Sequence, residues 1–141
     1  MFQIGEWLIY ALISSVLYGV WGFCSKLATN YINPKTALVY EAIGFSVLVF
    51  FVLKGEKFTL NSDIRGVIYA TLVGVTSAVA SLFLFLALSK GNVSVIVPIT
   101  ALYPIVTIIM AYFILKEPIT FRQIIGLMLA LVAVVLCADV E

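Results

Sequence analysis

Five long apolar runs separated by short polar joints constrain this chain more than any other feature. They cover roughly residues 7–29, 36–53, 66–88, 93–115 and 121–137. Each is near the ~20 residues that, at 1.5 Å rise per residue, cross a hydrocarbon core of about 30 Å. Hydrocarbon offers no partner to an unpaired backbone amide, and the runs lack period-two alternation. Helices, not a β-barrel, are therefore predicted. Buried helices of a water-soluble protein would need polar faces that these runs do not have.

Composition supports the same solvent. Of 141 residues, 64% are hydrophobic and 11% charged, with a mean hydropathy of +1.21, whereas a soluble domain is about one quarter charged. Too few polar groups remain to cover a water-facing surface. The expectation is an all-α integral membrane protein, a five-transmembrane-helix bundle forming one domain over residues 1–141, multi-pass in the cell membrane. The net charge of +1, with no basic stripe, gives no electrostatic grip on nucleic acid. Cys24 and Cys137 lie in apolar stretches, no CxxC pair exists and histidine is absent. Neither a metal site nor a Cys-His nucleophile is expected, and no cofactor is implied. With no visible nucleophile–base pair, an enzyme is not expected either. The opening Met-Phe-Gln-Ile-Gly-Glu lacks the basic start of a signal peptide, and the first apolar run is too long for one.

The joints are tight. Asn33-Pro34 reads as N-cap and first helical residue of the second helix. The stretch Asn61-Ser62-Asp63 offers caps for the third, and Gly91-Asn92 makes a minimal turn before the fourth. Only residues 54–65 are long enough to form a real loop. In "KEPITFRQ", residues 116–123, Pro118 prevents continuation of the fourth helix, and Thr120 with Gln123 has the spacing of a capping box. Lys116, Glu117 and Arg122 are then punctuation at the water surface. Lys54, Lys57, Arg65, Lys116 and Arg122 share one side, against Lys26, Lys35 and Lys90 on the other. That is a mild bias toward a cytoplasmic N-terminus.

Polar residues inside such helices tend to face the protein interior or a watery cavity. Ser14, Tyr18, Trp21 and Ser25 fall on one face of the first helix, and Thr100, Tyr103 and Thr107 on one face of the fourth. The two stripes can line a pocket, or the hydroxyls can bond back to their own helices while the aromatics pack. Pro98 and Pro104 remove backbone donors and free the carbonyls of Ser94 and Thr100. The result is either a break that lines a cavity or a kink that serves packing. Lys26 and Glu41 flank the first hairpin, each about four to six residues inside its run, or ~6–9 Å deep. Either they form a stabilising ion pair or Lys26 snorkels to the interface, or Glu41 is a proton-linked carboxylate or a binding site for a cationic substrate. Gly66, Ala70, Gly74 and Ala78, and Gly126 with Ala130, form small-residue rows suited to close helix packing in lipid.

Residues 87–136, "ALSKGNVSVIVPITALYPIVTIIMAYFILKEPITFRQIIGLMLALVAVVL", resemble the C-terminal part of an EamA-type domain of the drug/metabolite transporter superfamily. The features are a small-residue turn with Ser94, Tyr103-Pro104, the Lys-Glu turn and Gly126. "YGVWGFCSKLA", residues 18–28, resembles the Trp-Gly signature of the first helix. The resemblance implies a half-transporter unit. In this superfamily two oppositely oriented five-helix units commonly surround a central substrate cavity, and one unit is present here. It further implies a small-molecule substrate, for which the intramembrane residues singled out above, Tyr18, Trp21, Lys26, Glu41, Thr100 and Tyr103, are the candidate binding residues. A homodimer, its copies antiparallel, would supply the second unit, and Glu41 is the residue suited to proton coupling. The alternative is a non-transporting structural or accessory membrane subunit.

Overall fold

The computed structural model describes residues 5–57, 60 and 63–137, and among them every regular element is helical. The order is α1 (Glu6–Tyr31), α2 (Pro34–Gly55), α3 (Ile64–Leu88), α4 (Val93–Thr100), α5 (Tyr103–Met110), a π-helical turn (Ala111–Leu115) and α6 (Phe121–Cys137). Helices α1, α2 and α3, of 26, 22 and 25 residues, are each long and apolar enough to cross a membrane. So is the 23-residue stretch Val93–Leu115, while α6 is a shorter apolar helix. The five runs of the sequence are thus all helical, four of them long enough to cross a membrane, with the fourth interrupted and the fifth shorter. Large apolar side chains stand exposed along every span, as suits helices whose solvent is hydrocarbon.

The helix ends follow local chemistry. Asn33 caps α2, its side chain accepting from the Thr36 amide at 2.8 Å, with Pro34 in the first turn. Proline fits there because that amide would lack an intrahelical acceptor in any case. Asp63 caps α3, accepting from the Arg65 amide at 2.9 Å. Asn61 and Ser62, the other caps expected for this helix, lie outside the described residues. At α6 the expected capping box forms: the Thr120 amide donates to Gln123 Oε1 at 2.7 Å, and the Gln123 amide to Thr120 Oγ1 at 3.3 Å.

The fourth span differs from a simple kinked helix. Pro98 is inside α4, but Pro104 occupies the first turn of a new helix, α5, after a turn at Ala101-Leu102. The stop after the span comes earlier than Pro118. The π turn ends at Lys116, which adopts a left-handed conformation with φ 58°, and the Glu117 amide donates to the Ala111 carbonyl at 3.3 Å. A left-handed residue reverses the chain at once, and Pro118 then bars its predecessor from resuming a helix.

The chain divides into two compact units, Met1–Lys90 and Gly91–Glu141. In the first, the residues that are buried gather at one end: Gly22 and Ser25 of α1, Ala37 of α2, and Leu84, Phe85 and Leu88 of α3. That end holds the α1–α2 turn and the C-terminus of α3. In the second unit α4 packs with α6, and α5 leads into the π turn.

Candidate functional site

Glu41 lies seven residues after Pro34, the start of α2, and Ser81 seven before Leu88, the end of α3. Both are therefore about 10 Å from the same end of the first unit. Glu41 is half-buried there. Its Oε1 accepts from the Trp21 indole Nε1–H at 2.9 Å and from the Ser81 hydroxyl at 3.2 Å. One carboxylate oxygen thus ties α1, α2 and α3 together. Trp21 in turn meets the ring of Tyr18 edge-on, with centroids 6.2 Å apart and planes at 83°.

Lys26 does not supply the counter-charge. Its ammonium donates to the Leu88 carbonyl at 2.7 Å. The last carbonyls of a helix lack intrahelical partners and carry the negative end of its dipole, so a cation is well placed there. The long side chain reaches toward the helix end, as a snorkelling lysine does. The expected Lys26–Glu41 pair is therefore replaced by two separate contacts. A carboxylate in a low-dielectric setting is costly to keep charged unless it is paired. Glu41 is held by two neutral donors, and both of them bind the same oxygen.

The remaining expected site residues separate. Tyr18, Trp21, Lys26 and Glu41 all belong to the first unit, and Tyr18, Trp21 and Glu41 form one connected group. Thr100 and Tyr103 belong to the second. The Thr100 hydroxyl donates to the Val97 carbonyl at 2.8 Å and that of Thr107 to the Tyr103 carbonyl at 3.3 Å. Ser25 likewise donates to the Trp21 carbonyl at 2.7 Å. These hydroxyls return to their own helices, as serine and threonine often do in apolar helices. Ser81 is the residue that sequence reasoning missed. Its signal was depth: counted from the helix ends, it is level with Glu41.

The EamA-like transporter family matches residues 5–138. The chain belongs to that family. Membership points to a membrane transporter of the drug/metabolite type, and away from an enzyme. A protein of Methanocaldococcus jannaschii, described as uncharacterized, is 30% identical over 129 residues, covering 92% of this chain and 93% of its own. An uncharacterized transporter of Helicobacter pylori is 23% identical over 132 residues, covering 91% of this chain but 43% of its own length. No solved structure matches the chain.

Proposed function

We propose that this EamA-family protein moves a small metabolite or drug across the cell membrane, that Glu41 is its ion-coupling and substrate-binding residue, and that it works as a homodimer. The observation that carries the reading is the Glu41 carboxylate. It lies within a membrane-spanning helix and is held by Trp21 and Ser81 from two neighbouring spans, the donors to it among the described residues both being neutral. Ionisable residues within membrane spans mark substrate and ion pathways, and a carboxylate held by neutral donors from two other helices is suited to that role.

The dimer reading rests on the family resemblance, in which two oppositely oriented five-helix units commonly surround the substrate cavity. A second copy inserted in the opposite sense would supply a second five-helix unit, related by an axis in the membrane plane. Five Lys and Arg residues on one loop side against three on the other leave both senses of insertion accessible. Helix α6 offers a seam. Gly126, Ala130 and Ala133 form a small-residue face, and a Cβ placed on Gly126 would meet nothing within 4 Å.

The test is uptake by purified protein in proteoliposomes, using a panel of radiolabelled cationic, neutral and anionic metabolites, with and without an imposed proton gradient. Gradient-stimulated accumulation of at least one compound above that of empty liposomes is expected. Accumulation no greater than that of empty liposomes across the panel would favour an accessory subunit.

A further inference from the structure

The Glu41 group carries more detail than proton coupling needs. Both described donors, Trp21 Nε1 and Ser81 Oγ, reach the same oxygen, Oε1, at 2.9 and 3.2 Å. No described residue donates to Oε2. Lys26, the cation expected beside it, is directed to the Leu88 carbonyl. Beside the carboxylate, Trp21 is 37% exposed and Tyr18 62% exposed, their rings set edge to face. Aromatic rings next to a carboxylate are the two elements that bind organic cations: the ring faces attract the positive charge, and the carboxylate neutralises it.

We infer that Glu41, Trp21 and Tyr18 form a binding site for an organic ammonium ion, a monocation whose N–H donates to Glu41 Oε2 while its apolar portion lies against the two rings. The assignment rests on the reading of Glu41 as the substrate-binding residue and names the class of substrate. A hard metal cation fits the group less well. Calcium takes six to eight oxygen ligands, and among the described residues no three carboxylates, cysteines or histidines gather to hold an ion. An anion would meet the carboxylate head-on. A neutral ligand would offer Oε2 no charge-assisted hydrogen bond.

Tryptophan fluorescence reads the site directly. The chain has two tryptophans, Trp7 and Trp21, so Trp7→Phe leaves the Glu41-bound indole as the sole reporter. The detergent-solubilised variant is titrated with benzylammonium, benzyl alcohol and benzoate, which share a ring and differ in charge. Benzylammonium is expected to shift or quench the Trp21 emission saturably, at about tenfold lower concentration than benzyl alcohol or better, the margin of a charge-assisted hydrogen bond. Benzoate is expected to have no saturable effect. Glu41→Gln should remove the advantage of benzylammonium over benzyl alcohol. Equal responses to the three compounds, or none to any, would overturn the assignment, and this comparison does not depend on the Gln variant folding. The titration involves no transport. Saturable ammonium binding without uptake of any compound would therefore sink the transport reading alone. Uptake of a neutral or anionic compound unaffected by benzylammonium would sink the ammonium assignment alone.

Discussion

Glu41 and Lys26 show how two charges at similar depth can find different partners. Counting residues from the helix ends sets depth but not rotation, and rotation decided the outcome: Lys26 reaches the open carbonyl end of α3, and Glu41 faces Trp21 and Ser81. The two arrangements make opposite predictions for one substitution. Were Glu41 paired with Lys26, Glu41→Gln would strand a buried ammonium and cost several kcal/mol. In the structure the amide oxygen of Gln can accept both hydrogen bonds in place of Oε1. Glu41→Gln is therefore expected to change stability by less than about 1 kcal/mol, measured as the thermal midpoint in detergent. A large drop would restore the ion pair. Lys26→Met removes a cation from the C-terminal carbonyls of α3 and should cost about 1 kcal/mol or more by the same measurement.

At the scale of helices, nearly everything regular was legible in the sequence. The apolar runs became spans, and Asn33-Pro34 and Thr120/Gln123 became caps, because length, hydropathy and capping are local properties. The break in the fourth span was legible only in part. Pro98 and Pro104 marked the region, but whether a proline lies inside a helix or opens the next depends on the turn at Ala101-Leu102, a conformation available to ordinary residues. The left-handed Lys116 was hidden for the same reason, since nothing in a lysine announces φ 58°. The site was legible in its parts, Trp21 and Glu41, but not in its connection, because Ser81 comes from a third helix forty residues away in sequence. The role of Pro98, inside α4, can be tested. Pro98→Ala restores an amide donor toward the Ser94 carbonyl and removes a residue costing a helix interior about 3 kcal/mol. It is expected to raise the thermal midpoint and to slow uptake. A raised midpoint with unchanged uptake would assign Pro98 to packing.

The whole molecule poses the question of assembly. Gly66 and Gly74 of α3, like Gly126 of α6, face open space, with nothing within 4 Å of an added Cβ. The small-residue rows are thus free for contacts beyond their own units. Insertion sense is read by replacing Cys24 and Cys137, placing one cysteine at Lys57, and labelling intact cells and then opened membranes. Labelling of comparable fractions from both sides is expected of a dual-inserted dimer, and labelling from one side only would contradict it. The role of Glu41 is decided most directly by proton-gradient-driven uptake into proteoliposomes, comparing the wild-type protein with Glu41→Gln at matched reconstitution. The variant is expected to remain folded, with an unchanged thermal midpoint, and to fall to the uptake of empty liposomes. A folded Glu41→Gln protein that accumulates substrate at the wild-type rate would contradict that role.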